Sequence, residues 1–429
     1  MALRRPHTLA YARSVRQGAW QQRSFRFFFF GQGISAIGDR IVTVALPFAV
    51  LGLTGSVKDL GVILAAQTVP LVVFVLLGGV WADRISRRGV MLTSDLVRTG
   101  AQGASALLLV TGNAHIWQLA LLQAVYGIAE AFFLPASQAL LPETVAADDL
   151  QQANSLIAVS ANIAQIGGPA AGGLLVATLG AGWGLAIDAG TFLASAASLS
   201  LMRVNALIPA PRRGTFKELR AGWQAFRSRT WLWASALEFL GANAFAFSPY
   251  LVLGPEIARV SLGGPAAWAA ITTASGVGAV LGGTTGLRWK PRFPLRAMFV
   301  TSAIGTTPLL VLLAAAAPLL ALLAAAVLSG MTISFFNLVW FTVVQRKIPG
   351  EELSRVSSWD ALGSYAVTPI GLAAAGPIGI ALGIPATLYA GAALGVLGSL
   401  AVLVVPSVRN LTYEAGDTPV EANPEPQTA

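Results

Sequence analysis

Ionisable side chains are rare in this sequence, and several of them lie inside long apolar stretches. Only 11% of the 429 residues are charged, whereas 55% are hydrophobic. Asp39 and its neighbour Arg40 lie about 18 Å of helix beyond Phe27, the first residue of such a stretch. An ionised group in a membrane core costs several kcal/mol unless it is paired, so residues in these positions are candidates for binding protons or each other.

Three carboxylates are the strongest candidates for proton exchange. Asp39 and Glu130 fall at mid-depth in the first and fourth apolar stretches, and Glu238 falls five to seven residues into the seventh. Burial favours a protonated carboxyl and a nearby arginine favours an ionised one, so such a group can exchange a proton when its surroundings change. The alternative is a permanently paired structural salt bridge. In the N-terminal half, Asp39 and Glu130 are expected to belong to a charge cluster with Arg40, Asp95 and Arg98.

Three other acidic residues, Asp188, Glu256 and Asp360, are predicted near the ends of apolar stretches. Water reaches such positions, so we expect these three carboxylates to have structural roles.

Several other chemistries lack the residues they need. There is no cysteine, and the two histidines, His7 and His115, lie in a basic tail and a short loop. No lysine follows a glycine, so the phosphate-binding signature of an ATP-driven pump is absent. We therefore expect no metal and no cofactor, and an intramembrane hydrolase is disfavoured because no predicted span contains a histidine.

Long apolar runs provide the helices that must position the mid-depth residues. Mean hydropathy is +0.68, and a membrane span needs about 20 apolar residues. Proline 318 is taken as a tight turn; if the chain did not turn there, the number of spans would be eleven. The predicted spans are 25–52, 59–81, 89–112, 116–138, 152–178, 183–203, 231–254, 266–287, 296–316, 318–344, 356–382 and 385–406.

The distribution of basic residues predicts the orientation in the membrane. Most of the 28 Lys and Arg residues fall on one side of the predicted spans, while the other side holds only Lys58 and Arg259. Because basic residues stay cytoplasmic in short loops, both termini are expected in the cytoplasm. A basic cytoplasmic face beside anionic lipid accounts for the net charge of +9 without nucleic acid.

The sequence also divides into two halves that resemble each other. LGGVWADRISRR at 77–88 is echoed by LGGTTGLRWKPR at 281–292, and DDLQQANS at 148–155 by EELSRVSS at 351–358. The predicted fold is therefore all-α and polytopic, with twelve transmembrane helices in two pseudo-symmetric six-helix halves. The expected segments are a cytoplasmic tail (1–24), a six-helix bundle (25–203), an amphipathic cytoplasmic linker (204–230), a second bundle (231–406) and a disordered acidic tail (407–429).

The loop after the second span carries a recognisable pattern, GVWADRISRR at 79–88. It resembles the major facilitator superfamily signature G-x-x-x-D-R-x-(G/S)-R-(R/K) between helices 2 and 3. The resemblance implies that Asp83 contacts the start of helix 11, near Ser357 and Ser358, and locks an outward-open state. A plain positive-inside loop would explain the arginines but not the aspartate. The predicted gating residues are Gly79, Asp83, Arg84, Arg87 and Arg88.

A glycine-rich pattern in the fifth span, AQIGGPAAGG at 164–173, resembles the antiporter signature of the same family, with Ala164 replacing its first glycine. The resemblance implies a close seam between helices 5 and 8 that suppresses leak and favours export over import. Generic packing of small residues is the alternative. The predicted seam residues are Gly168, Pro169, Gly172 and Gly173.

The fourth span departs from the family. The basic motif R-x-x-Q-G-x-x-x-A would fall on QAVYGIAEA at 123–131, so the arginine associated with proton transfer is absent. Three further stretches, GISAIGDRIVTVALPF, DDLQQANSL and VVQRKIPGEELSRVSS, are similar to the drug/proton antiporter branch that includes macrolide efflux proteins and the enterobactin exporter. The resemblance runs from about Phe27 to Pro406.

Together these features predict export of a lipophilic or amphipathic small molecule by alternating access with proton antiport. An aromatic lining with a few amides suits such a molecule better than a sugar. The alternatives are a siderophore or secondary-metabolite exporter, a lipid translocase and a non-transporting scaffold; mid-membrane charges argue against the scaffold. The expected partners are the substrate, the proton and the bilayer, with no nucleic acid, and a monomer is expected. The cavity candidates are Gln32, Ser35, Gln123, Asn243, Phe247, Tyr250, Asn337, Trp340 and Phe341.

Overall fold

A computed structural model of the protein describes residues 18–82, 86–203 and 215–413. All regular secondary structure in these ranges is helical. After a short 3-10 turn at Ala19–Gln21 come six long helices: α1 (Arg23–Thr54), α2 (Val57–Ala82), α3 (Arg87–Val110), α4 (Ile116–Thr144), α5 (Leu150–Thr178) and α6 (Ala181–Ser200).

The second half of the chain repeats this plan with two interruptions. A shorter helix, α7 (Thr215–Arg227), precedes it. A π-helical segment at Asn243–Phe247 joins α8 to α9, and two turn residues, 366 and 367, separate α13 from α14. The remaining helices are α8 (Thr230–Ala242), α9 (Ser248–Ser261), α10 (Pro265–Arg288), α11 (Pro294–Ala314), α12 (Leu319–Lys347), α13 (Gly350–Tyr365), α14 (Thr368–Leu382), α15 (Ile384–Val402) and α16 (Pro406–Arg409).

The helix order confirms the predicted twelve spans, since α8 with α9 and α13 with α14 each occupy one predicted span. In the described ranges, nine spans are long and apolar enough to cross a membrane. The other three, α3, α5 and α6, contain more polar residues, including the buried Asp95 and Arg98 of α3. The chain also turns where predicted: Pro318 precedes the first residue of α12, and Ala316 in the turn has a φ of 45°.

The described chain forms two compact units. Unit 1 contains the residues up to Leu53 and those from Ala66 to the end of α6; unit 2 contains Thr54–Ala65 and the residues from α7 onward. Within unit 1, α3 packs against α4 and α6, and within unit 2, α11 packs against α12 and α15. The third helix of each half therefore packs against the fourth and the sixth, the arrangement expected of an internal repeat.

The linker helix α7 packs within unit 2. The ring centroids of Trp223 and Trp359 are 4.9 Å apart, and Phe226 is buried in the unit 2 core. A Cβ on Gly222 would lie 3.0 Å from the Cβ of Arg355, so α7 and α13 approach closely. The predicted amphipathic helix is thus attached to α13 through its aromatic side chains.

Candidate functional site

Charged residues from four helices meet in the interior of unit 1. On α1, Asp39 accepts a 2.9 Å hydrogen bond from the Tyr126 hydroxyl of α4. One turn further along α4, Glu130 accepts a 3.3 Å hydrogen bond from Gln67 Nε2 of α2. Both carboxylates are half-buried. The structure therefore places the two predicted proton-exchanging residues in one unit, each held by a neutral donor.

Arg98 lies at the centre of this interior and is 2% exposed. Its guanidinium carbon is 3.9 Å from the ring centroid of Phe133 and 4.2 Å from that of Phe192, and it forms an ion pair with Asp95 on the same helix. Two aromatic faces and one carboxylate thus replace water around the cation. Arg40, the remaining predicted member of the charge cluster, is exposed.

The structure corrects the expectation for Asp188, which the sequence placed near a span end within reach of water. Asp188 is 0% exposed. Gln102 Nε2 donates to its Oδ2 at 2.9 Å, and Gln123 Nε2 donates to Gln102 Oε1 at 3.2 Å. The three side chains come from α6, α3 and α4, so this hydrogen-bonded chain crosses the bundle. It was missed because position along a helix does not tell which face is buried.

The sequence nevertheless contains a pattern that indicates burial of Asp188. Gly184, Asp188, Thr191 and Ser195 follow the spacing of one helix face. In the structure this face meets α1, since a Cβ on Gly184 would overlap that of Ala45. A face of small and polar residues in an apolar helix indicates a helix contact rather than a lipid-facing surface.

The cavity candidates of unit 1 occupy buried or half-buried positions. Ser35 is 3% exposed. Gln32 Oε1 accepts a 3.4 Å hydrogen bond from the Ser137 hydroxyl of α4, and Gln123 belongs to the chain that ends at Asp188. The polar faces of α1 and α4 are therefore turned toward each other.

The cavity candidates of unit 2 divide between its core and its surface. Trp340 is 5% exposed and donates from Nε1 to Asp360 Oδ2 at 3.0 Å, whereas the next residue, Phe341, is 60% exposed. Asn243 Nδ2 donates to the Ser364 carbonyl at 3.1 Å, and the Tyr250 ring packs 5.1 Å from Trp268. Phe247 and Asn337 are exposed.

The third proton-exchange candidate, Glu238, lies in unit 2. Its Oε1 accepts a 3.0 Å hydrogen bond from the Ser399 hydroxyl, which joins α8 to α15. Phe239, its neighbour in sequence, packs edge to face on Trp340 at 4.7 Å and on Phe336 at 4.8 Å. The carboxylate therefore lies beside an aromatic core rather than among charged residues.

Part of the predicted gating loop falls in the described chain. Asp83 and Arg84 lie outside the described residues, and Gly79 belongs to α2. Arg87 pairs with Glu143 of α4 at 2.6 Å, and Arg88 Nε donates to the Leu199 carbonyl at 2.6 Å. These two arginines therefore tie the start of α3 to the ends of α4 and α6, where a cation also favours the helix dipole.

The glycines of the antiporter-like pattern pack against α1. A Cβ on Gly168 would overlap the Cβ of Arg40, and one on Gly172 would lie 2.8 Å from the Ile41 carbonyl oxygen. Pro169 and Gly173 are also buried in α5. Within unit 1 the pattern thus permits backbone contact between α5 and α1; the implied seam with span 8 stays a prediction.

Comparison with known proteins shows which family this chain represents. It is 28% identical over 388 residues to the multidrug efflux pump Tap of Mycolicibacterium fortuitum, covering 87% of this chain and 93% of that protein. It is also 28% identical over 405 residues to the enterobactin exporter EntS of Escherichia coli O1:K1 / APEC, covering 90% of this chain and 92% of that protein.

Solved structures share the fold at lower identity. A POT family transporter in complex with 5-aminolevulinic acid superposes with a TM-score of 0.72 at 12% identity, over 91% of this chain and 97% of that chain. The nucleoside transporter NupG gives a TM-score of 0.67 at 13% identity, over 89% and 98%. The family model described as Major Facilitator Superfamily matches residues 28–359. With twelve helices in two repeated halves, the chain is a multi-pass membrane transporter, not an enzyme, and it belongs to the Major Facilitator Superfamily.

Proposed function

We propose that this transporter exports a lipophilic or amphipathic small molecule in exchange for protons, by alternating access across the bacterial inner membrane. In this proposal it acts as a monomer with both termini in the cytoplasm. The observation that carries the proposal is the interior of unit 1, where several carboxylates surround a single buried guanidinium. Export is supported by the relatives, one named a multidrug efflux pump and the other an enterobactin exporter.

The buried charges in the interior of unit 1 would not balance if Asp39 and Glu130 were both ionised. The ion pair of Arg98 is with Asp95, while the hydrogen-bond donors to Asp39 and Glu130 are the neutral side chains of Tyr126 and Gln67. A neutral donor stabilises a carboxylate less than a cation does, and uncompensated charge in a membrane interior costs several kcal/mol. Protons on Asp39 and Glu130 would remove this charge, and their half-buried positions would let water deliver and remove those protons.

Arg98 provides the cation that the fourth span lacks. The family motif places an arginine on helix 4, but here position 123 is a glutamine and the buried guanidinium comes from α3. It packs against Phe133 of α4 and Phe192 of α6, so it reaches the same interior from a different helix. We infer that Arg98 takes over the electrostatic role that the motif arginine has in relatives.

The membrane potential would supply free energy to such an exchange. One charge moving through 100 mV releases about 2.3 kcal/mol, which would sustain roughly a fifty-fold concentration gradient of substrate. The aromatic residues of unit 2 would bind the substrate, because large apolar side chains with few hydrogen-bonding groups favour bulky apolar molecules.

Export of a siderophore is the second candidate function. It is supported by the similarity to EntS, which matches the similarity to Tap in identity and exceeds it slightly in coverage of this chain. Enterobactin would then compete with drugs for binding and lower the rate of drug transport.

Transport into inverted membrane vesicles tests the proposal, with ethidium and enterobactin as probes and an imposed pH gradient, inside acidic, as the driving force. We expect uptake of at least one probe to depend on the gradient. Asp39→Asn and Glu130→Gln should stop gradient-driven uptake but keep downhill exchange of preloaded probe. Asp59→Asn, at the first turn of α2, is the matched control and should behave as wild type.

Two results would contradict the proposal. If collapsing the pH gradient leaves wild-type uptake unchanged, protons are not the coupling ion. If Asp39→Asn also abolishes downhill exchange, while the protein remains folded, Asp39 has a structural role in place of a coupling role. Movement of labelled phospholipid between leaflets, with no uptake of either probe, would indicate a lipid translocase.

A further inference from the structure

Asp188 is a buried carboxylate of unit 1 that the sequence patterns of the family did not identify. It is 0% exposed and lies on α6. Gln102 Nε2 lies 2.9 Å from its Oδ2, and Thr191 Oγ1 lies 3.4 Å from its Oδ1. Both neighbours are neutral, and the buried cation of this interior, Arg98, forms its ion pair with Asp95. If ionised, Asp188 would add a negative charge, and the described residues form no ion pair with it.

The carboxylate also lies against the helix that carries Asp39. A Cβ on Gly38 would overlap both Thr191 Oγ1 and Asp188 Oδ1, so the α1 backbone directly contacts the Asp188 side chain. Asp39 is the next residue along α1. Helix α5, which also packs on α6, carries no charged residue. The titratable and charged groups that face Asp188 are Asp39 from α1, Arg98 from α3 and Tyr126 from α4.

We propose that Asp188 is a second proton-binding residue of this interior and that its charge sets the proton affinity of Asp39. The proposal rests on the proton coupling proposed above and names a further site for it. Two carboxylates that share one low-dielectric region oppose each other's ionisation, so they release protons in two separated steps.

The proposal differs from a purely structural role for Asp188 in one measurable way. A carboxyl that keeps its proton in all states would act only as a hydrogen-bonding group, and asparagine would replace it without electrical consequence. A carboxyl that ionises would repel negative charge on Asp39, and its removal would let Asp39 lose a proton at lower pH. The titration of Asp39 therefore reports on the charge of Asp188.

Infrared titration of the purified full-length protein in nanodiscs tests this without any substrate. The carbonyl stretch of protonated carboxylic acids is followed against pH, and the bands of Asp39 and Asp188 are assigned by their loss in Asp39→Asn and Asp188→Asn. We expect Asp188→Asn to remove one titrating band and to shift the titration midpoint of Asp39 to lower pH by about one unit. Loss of a band that does not titrate, or an unshifted Asp39 midpoint, would overturn the proposal.

A second variant keeps the test decisive if Asp188→Asn does not fold. Gln102→Leu retains Asp188 but removes the donor to its ionised form, so the Asp188 band should persist and titrate at higher pH. An unchanged Asp188 titration in Gln102→Leu would refute ionisation of this group. Asp360→Asn is the matched control, because it removes a carboxyl of unit 2 and should leave the Asp39 midpoint unchanged.

The infrared result is independent of the coupling assay. If both carboxyls titrate as expected but the pH gradient does not drive transport, the second proton site stands and the proposed antiport fails. If antiport is observed and Asp188 does not titrate, only the present inference fails.

Discussion

The interiors of the two units share a helix packing scheme but differ in chemistry. In unit 1 the contact region of α1, α3, α4 and α6 contains an arginine, four carboxylates and three glutamines. In unit 2 the corresponding region contains a cluster of aromatic rings, in which Phe239, Phe299 and Phe336 have centroids 4.8 to 6.2 Å apart. The repeated scaffold therefore does not fix what is buried in it, and the two halves can serve different steps of transport.

The helices of the two units differ as well. Helices α1 and α5 are continuous, whereas their counterparts in the second half are interrupted at Asn243–Phe247 and between α13 and α14. The two interruptions are joined, since Asn243 Nδ2 donates to the Ser364 carbonyl. A π-helical segment leaves backbone groups to be paired locally, and Ser248 Oγ donates to the Asn243 carbonyl at 2.7 Å. Unit 1 thus has continuous helices α1 and α5 around charged residues, and unit 2 has interrupted counterparts around aromatic rings.

The largest effect should come from removing the buried cation of unit 1. Arg98→Met leaves Asp95 without its ion-pair partner, and breaking a buried pair costs about 3–5 kcal/mol. We expect loss of most of the folded protein, measured by size-exclusion chromatography and thermal unfolding in detergent. The matched control is Arg229→Met, whose partly exposed pair with Glu352 in unit 2 should contribute no more than about 1 kcal/mol.

A double variant shows whether charge imbalance is the cause. Replacing the pair together, Arg98→Met with Asp95→Leu, should restore much of the folded protein, because an apolar pair can substitute for a buried ion pair. If the double variant unfolds as readily as Arg98→Met, the contacts of Arg98 with the two phenylalanine rings matter more than its charge.

The next largest loss of stability should come from adding a methyl group where two helix backbones touch, a contact that occurs in both units. Gly168→Ala in unit 1 places a methyl group against the Cβ of Arg40, and Gly278→Ala in unit 2 places one against the Val327 carbonyl. Each should lower the free energy of unfolding by about 1–3 kcal/mol. Gly167→Ala is the matched control, since no atom lies within 4 Å of its would-be Cβ. Equal unfolding temperatures for Gly167→Ala and Gly168→Ala would show that α5 and α1 can separate without cost.

The sequence predicted the helix order because apolar runs end at charged residues or at Gly and Pro clusters, and it predicted Asp39 and Glu130 as interior residues because both are far from span ends. It placed Asp95 with Arg98 but did not predict the aromatic partners of Arg98. Phe133 and Phe192 come from α4 and α6, and contacts between helices depend on rotations that hydropathy does not report. Asp188 was misplaced for the same reason.

The positions of the helix interruptions in unit 2 are indicated by prolines, which a hydropathy pattern does not take into account. Pro249 follows the π-helical segment by two residues, and Pro369 is the second residue of α14. Proline lacks an N–H group and crowds the carbonyl four residues earlier, which lies at Phe245 for the first and Tyr365 for the second. The break in each helix therefore falls where its proline predicts, although many other prolines here lie within uninterrupted helices, as Pro47 does in α1.

If protons are exchanged in unit 1, neutralising a carboxylate of unit 2 should change the pH dependence of transport very little. Glu238→Gln keeps the size of the side chain and can still accept from Ser399. The pH dependence of ethidium uptake into inverted vesicles should therefore stay within about 0.3 units of wild type, whereas Asp39→Asn should abolish it. A shift of one unit or more in Glu238→Gln would place a coupling site in unit 2 and break the proposed division between the halves.

The smallest effect concerns the hydrogen bond between Trp340 and Asp360. Trp340→Phe retains an aromatic ring beside Phe239 but removes the N–H donor to Asp360 Oδ2, which should lower the free energy of unfolding by about 0.5–1.5 kcal/mol. Part of that loss comes from the smaller ring, so the double variant Trp340→Phe with Asp360→Leu is needed to isolate the hydrogen bond, because leucine has no acceptor. If the polar contact matters, the two single effects should sum to more than the double effect. If the losses of unfolding free energy in the two single variants simply add, and the KM for ethidium is unchanged, the hydrogen bond contributes no stability. Trp340 would then stabilise unit 2 through the packing of its ring alone.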